Sequence, residues 1–219
     1  MIMKNILIVG GSSGIGLALV EQLAEDHNVF VASRTSESLV GKNCTHIPYD
    51  VMSQELDVSL LPELHGFVYC PGSINLRPFK GLKPETFQAD FDLNVMGAIK
   101  SLQALGKNLQ ATTHASVVFY STVAVQTGMP FHASVAAAKG ALEGLTRSLA
   151  AEWAPKIRVN CIAPSLVNTP LADKFLNNEA KMEKAGERHP LQRVGTAKEI
   201  AEATAYLLSE KSGWMTGQI

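Results

Sequence analysis

The helix-like stretch PFHASVAAAKGALEGLTRSLA, Pro130 to Ala150, carries one lysine, Lys139. Surrounded by Ala136, Ala137, Ala138 and Ala141, this lysine reads as a functional amine rather than a solvated surface charge. An acid one helical turn earlier would complete a proton-transfer pair, but that position is Val135. A second chemically suggestive stretch is VGGSSGIG, Val9 to Gly16. Gly10 permits a tight turn, Gly14 lets backbone approach a pyrophosphate, and Gly16 lets a helix pack closely on a strand. The helix N–H groups around Ile15, with the hydroxyls of Ser12 and Ser13, offer donors to phosphate oxygens. The third stretch is ASRT, with Ser33 and Arg34 where a dinucleotide-binding fold meets the adenosine ribose. No acid stands there to accept from a 2′-hydroxyl. A guanidinium pairs a 2′-phosphate through charge-assisted hydrogen bonds, so the reading is NADP(H) ahead of NAD(H). A solvated loop arginine is the alternative.

The elements that must position these groups alternate. Apolar runs at Asn5–Val9, Val29–Ala32, His46–Tyr49, Gly66–Cys70, Ser116–Ser121 and Ile157–Ile162 read as strands. Helical patterns read at Gly14–Glu25, Thr86–Lys107, Ala133–Trp153 and Ala197–Ser209. Strand–helix alternation with continuous apolar strands predicts an α/β fold, a single-domain doubly wound parallel sheet with helices on both faces. The polar, mixed segment from Leu166 to Arg193 reads as a mobile lid over the ligand crevice.

Composition narrows the class. The chain has 219 residues, 46% of them hydrophobic, which is one domain with material for a sizeable core. A net charge of −1 without a basic block gives no footprint for nucleic acid or anionic membrane. The three cysteines, Cys44, Cys70 and Cys161, show no metal-ligand spacing. Reduced thiols, an N-terminal apolar run too short for a signal peptide, and no span-length apolar segment lead to the expectation of a cytoplasmic protein. The expected partner is a small organic molecule.

Taken in order along the chain, these motifs resemble the short-chain dehydrogenase/reductase family. Gly10, Gly14 and Gly16 match its GxxxGxG loop. Tyr49-Asp50-Val51 resembles the Asp-Val pair that holds adenine, and Asn94 in FDLNVMG matches the family's helix asparagine. Ser121-Thr122-Val123 follows the fifth strand where the family places its catalytic serine, and Lys139 matches the lysine of YxxxK. IRVNCIAPSLVNTPL, with Pro164, Val167 and Thr169, resembles the stretch that lines the nicotinamide. Cys70-Pro71-Gly72 occupies the place of the family's Asn-Ala-Gly and keeps its glycine. The resemblance implies hydride transfer between a nicotinamide and a carbonyl, alcohol or activated C=C. It also implies a homodimer or homotetramer built on the helix from Thr86 and the small residues Gly140, Ala141 and Gly144. The family continues past the position of Ile219 into a last strand, which is therefore expected to be incomplete.

The main departure is Val135 in place of the YxxxK tyrosine. General acid–base help is worth roughly 10²–10⁴ in rate, whereas aligning hydride donor and acceptor is worth about 7–11 kcal/mol, and the residues implied for the second task are largely present. His132, seven residues before Lys139, falls at the YxxxxxxK spacing of the family's enoyl reductase branch and could serve as the acid. A capping loop histidine is the alternative. Thr122 reads equally as a substrate contact or a strand-end hydroxyl, and Asn94 as a relay or a helix-bend residue. A catalytically idle NADP(H)-binding protein is the competing functional class.

Overall fold

A computed structural model describes residues 3–219. Its framework is a six-stranded parallel sheet formed by β1 (Asn5–Val9), β2 (Asn28–Ser33), β3 (Cys44–Pro48), β4 (Gly66–Tyr69), β5 (Ala115–Tyr120) and β6 (Ile157–Ile162). The spatial order is β3-β2-β1-β4-β5-β6. Successive side chains on a strand point to opposite faces, so each apolar strand feeds two cores. Leu7, Val9, Phe67, Val117 and Phe119 pack on one face with Leu102 and Leu142. Ile6, Ile8, Val31, Val68 and Val118 pack on the other with Leu19, Val20 and Leu208.

The helices that supply these layers follow the strands. After β1 comes α1 (Gly14–Leu23), and after β4 come α2 (Pro84–Phe91), α3 (Gly97–Ala104) and α4 (Gly106–Gln110). The β5–β6 crossover holds the short α5 (Ala124–Thr127) and the long α6 (Ala133–Trp153). The strand order reverses between β1 and β4. That leaves a crevice beyond their carboxyl ends, where open α/β sheets bind ligands. Gly10, Gly72 and Thr122 all lie just beyond such strand ends.

One expectation needs correction. The helix expected over Thr86–Lys107 is three helices, with a π-helical turn at Asp92–Met96 between α2 and α3. Two side chains draw carbonyls out of the ladder there. Tyr69 Oη donates to Leu93 O at 2.6 Å, and Asn94 Nδ2 donates to Asp90 O at 2.8 Å. Such single wide turns favour functional sites. Gly97 lets the helix approach β4 so closely that a Cβ would stand 2.2 Å from Tyr69 Oη.

The segment expected as a lid is ordered into short elements: β7 (Val167–Asn168), α7 (Asp173–Leu176) and α8 (Glu179–Gly186). Its base is clasped where β7 pairs in parallel with β8 (Gly195–Thr196). The chain then enters α9 (Ala197–Leu208), whose start is fixed by a reciprocal cap between Thr196 and Glu199. Residues 216–218 follow the free edge of β6, with Gly217 N donating to Val159 O at 2.7 Å and Cys161 N to Gln218 O at 2.9 Å. Among the described residues no helix is long and apolar enough to cross a membrane, and no cluster of side chains suits a metal ion.

Candidate active site

The glycine loop leaves β1 through Gly10, whose φ of 79° lies in the left-handed region open to glycine. At Gly16 a Cβ would lie 2.4 Å from Gly10 O, so any side chain would break the turn. Gly14 faces the residues just after β7, where a Cβ would meet Thr169 Cβ at 3.4 Å. Ser13 is the N-cap of α1 and is exposed, with its hydroxyl not engaged in capping. Ser12 lies beside Thr35, their hydroxyl oxygens 3.3 Å apart, and Ile15 is half-buried. The loop therefore presents unspent backbone and hydroxyl donors at a helix N-terminus.

At the adenosine end the tasks divide. Ser33 is buried and donates to Thr35 O at 2.8 Å, which braces the end of β2. Arg34 beside it is exposed and takes part in no salt bridge among the described residues. Asp50 accepts from Met52 N at 3.0 Å through Oδ1, and Val51 is half-buried, packed close to Gly97.

At the centre stands Lys139, only 8% exposed on α6. Its Nζ reaches to 3.3 Å from the point where a side chain at Gly72 would begin, and Asn94 Oδ1 reaches to 3.2 Å from the same point. Burial lowers the Lys139 pKa to about 8, against the opposing pull of Cys161, Cys70 and Asp90. The Cys70 and Cys161 thiols are themselves pushed up to about 12 by burial, so they face the amine as neutral groups. Pro71 and Pro164 are half-buried, and Pro164 O accepts from Val123 N at 3.2 Å. Val167 is buried in the β7–β8 clasp.

The structure thus brings Lys139, Asn94 and Gly72 together, and sets Gly14 against Thr169. Thr122 and His132 lie toward opposite ends of the connection from β5 to α6. Thr122 Oγ1 accepts from Ala124 N at 3.3 Å. His132 is the N-cap of α6, its Nδ1 2.7 Å from Pro130 O. A carbonyl only accepts, so Nδ1 carries the proton, and neutral imidazole is left with Nε2 as an acceptor. Val135, one turn before Lys139, is buried.

A family model described as enoyl-(acyl carrier protein) reductase matches residues 9–219. A tropinone reductase homolog of Arabidopsis thaliana is 31% identical, over 99% of this chain and 89% of that protein. The chain belongs to the short-chain dehydrogenase/reductase family. The solved structure of a short chain dehydrogenase family protein from Francisella tularensis superposes with a TM-score of 0.90 at 30% identity, covering 99% of this chain and 96% of that one. A 2,5-dichloro-2,5-cyclohexadiene-1,4-diol dehydrogenase of Sphingobium indicum is 33% identical over 98% of this chain and 93% of its own length. As a short-chain dehydrogenase/reductase the chain has an oxidoreductase framework for a nicotinamide dinucleotide, NAD or NADP.

Three features of this short-chain framework escaped sequence reading. Ser121 is buried and donates to the buried Glu143 Oε1 at 2.7 Å, and Glu143 Oε2 lies 3.6 Å from Arg147. Asp90 is a buried acid on α2, held by Ser73 and Asn75. Gly97 marks the close passage of α3 over Tyr69. The one available signal was the spacing of Asp90 and Asn94, four residues apart and hence on one helix face.

Proposed function

We propose that this chain is an NADP(H)-dependent oxidoreductase of the short-chain type, acting on a small organic substrate, in which proton delivery does not fall to a tyrosine. The observation that carries this reading is Lys139, buried behind Gly72 with Val135 one turn before it. The residues present fit a dinucleotide. Gly10, Ser12, Ser13, Gly14, Ile15 and Gly16 would take the pyrophosphate, with Thr169, Val167 and Pro164 across from them. Arg34 beside Ser33 would take a 2′-phosphate, and Asp50 and Val51 the adenine. Cys70, Pro71, Gly72 and Lys139 would border the nicotinamide ribose. The dinucleotide supplies hydride chemistry when bound.

The chain's own groups then have separate tasks. The Lys139 ammonium would bond ribose hydroxyls, a task that does not require a tyrosine. The Thr122 hydroxyl would orient the substrate oxygen, and Asn94 would fix the helix turn beside the lysine. Two measurements test the reading: NADPH and NADH titrations followed by fluorescence, and NADPH consumption with a panel of carbonyls and enones. Turnover with tighter NADPH binding is expected, and absence of turnover with every substrate would overturn the catalytic part.

The second reading, a dinucleotide-binding protein without turnover, draws on Val135 and on the engagement of Ser121 by Glu143. It expects Val135→Tyr to create a carbonyl reductase activity that the parent lacks. The enoyl-type variant, with His132 as acid, draws on the spacing of His132 to Lys139. It expects His132→Ala to abolish turnover, and unchanged turnover would remove it.

A further inference from the structure

Glu143 keeps a carboxylate out of water. It is 4% exposed on α6, and among the described residues it has one short bond. Ser121 Oγ donates to its Oε1 at 2.7 Å, while the Arg147 guanidinium stands 3.6 Å from Oε2 on a side chain that is 55% exposed. A buried carboxylate is costly unless it is paired or hydrogen-bonded, and an apolar pair of similar size would fill the same space without that cost. What the bond joins gives it a use beyond packing.

Its two ends belong to two parts of the candidate site. Ser121 follows directly on β5 and precedes Thr122. Glu143 lies four residues after Lys139, one turn further along the same face of α6. The backbone of this corner is tied elsewhere. Ser121 N donates to Ile162 O at 2.7 Å and Val123 N to Pro164 O at 3.2 Å, so both reach β6 and the residues after it. Thr122 Oγ1 has a local bond, from Ala124 N at 3.3 Å. Among the described residues, the Ser121–Glu143 bond is the one hydrogen bond between residues 121–127 and α6.

We infer that Ser121 and Glu143 form an internal strut that fixes Thr122 relative to Lys139, with Arg147 covering its outer end. The strut closes a span of 22 residues, across which the chain alone does not hold one spacing. Neither residue touches substrate or cofactor, so both are positioning residues. The inference deepens the proposed function and rests on it for one consequence. The hydroxyl that orients the substrate oxygen and the amine that holds the ribose would keep a constant separation, and a misplacement of about 1 Å there costs on the order of 10²-fold in rate.

Hydrogen–deuterium exchange of the whole protein, read by mass spectrometry, tests the strut without cofactor or substrate. Ser121→Ala combined with Glu143→Met removes both polar groups, so no carboxylate is left buried alone and stability stays near that of the parent. Exchange at residues 122–127 is expected to rise about tenfold relative to the peptides of β1 and β4, the scale of one lost hydrogen bond. Glu143→Gln keeps an oxygen for Ser121 to donate to, and is expected to exchange as the parent does. Urea denaturation measures the stability of each variant. A pair that only stabilises the fold would alter all these peptides together, so an unchanged ratio in the double variant overturns the strut. If the double variant does not fold, Ser121→Ala against Glu143→Gln carries the comparison, and equal ratios overturn it. Turnover separates the two ideas. Where the parent consumes NADPH with a carbonyl or enone, the double variant should lose kcat by roughly 10–100-fold with NADPH affinity retained, and an unchanged kcat overturns the strut while the functional reading stands. Faster local exchange in a protein without turnover leaves the strut standing and removes the catalytic reading.

Discussion

Arg34 has no acid to pair with among the described residues and stands exposed at the end of β2, beside a serine whose hydroxyl is already committed to Thr35 O. If it reads a 2′-phosphate, Arg34→Ala should weaken NADPH by roughly 10–100-fold, the scale of a charge-assisted hydrogen bond. NADH affinity should hardly move, and paired fluorescence titrations check both. The residue scale also shows where sequence reading stopped. Gly10, Gly16 and Lys139 were legible because turn geometry and a lone charge among alanines each demand a reason. Asp90 was not, because a helix acid is ordinarily a solvated one. Its carboxylate is held by Ser73 and Asn75 from the connection between β4 and α2, a contact that helix periodicity does not reveal. Ser121 likewise read as a crevice hydroxyl, and only the packing of α6 on β5 supplies Glu143 as its partner.

Among the elements, strands were the easier reading, since apolar β-branched runs between turn residues admit few alternatives. Four of the expected strands are longer, shorter or shifted by one or two residues, whereas β1, β6 and α6 have the expected bounds. The helix after β4 was misread because its pattern is helical throughout, while its interruption is imposed by Tyr69 and Asn94. That close passage sets a prediction. Gly97→Ala must displace Tyr69 Oη or Val51, so it should cost at least about 1–3 kcal/mol, the usual range for overpacking. Chemical denaturation checks it, and a neutral result would mean that the helix can retreat freely. At the other end of the chain, Thr196→Ala removes the side-chain half of the α9 cap, leaving the backbone N–H of residue 196 on Glu199, and should cost about 1 kcal/mol. The same denaturation series measures it.

For the whole molecule, Lys139 leaves a signature in stability. Its folded pKa, about 8, lies below its ordinary value of 10.5, so folding is penalised most below pH 8, where the amine is charged in both states. Above pH 8 the unfolded chain binds more protons, and stability rises with pH from this group. Cys70 and Cys161 act oppositely as the pH approaches and passes 9, because their folded pKa values exceed the ordinary one. Between pH 8 and pH 9 the lysine contributes roughly 1 kcal/mol, and the two thiols, half ionised at pH 9 in the unfolded chain, offset part of it, so its share is read by comparison with a lysine-free variant. Lys139→Met should erase that rise in melting experiments. Assembly belongs to the same scale. A homodimer or homotetramer through α2, α3 and α6 remains our proposal, and light scattering should give a mass two or four times the chain's 23.5 kDa. A monomer would contradict it.

The arrangement of one softened amine between two hardened thiols inverts an ordinary ranking. In most proteins a cysteine meets an electrophile first. Here Lys139 is half neutral near pH 8 while Cys70 and Cys161 remain thiols until about pH 12. A small activated ester or sulfonyl fluoride entering the crevice would therefore form its bond at nitrogen. That chemoselectivity gives the protein a covalent handle at its candidate active centre, usable before any substrate is known.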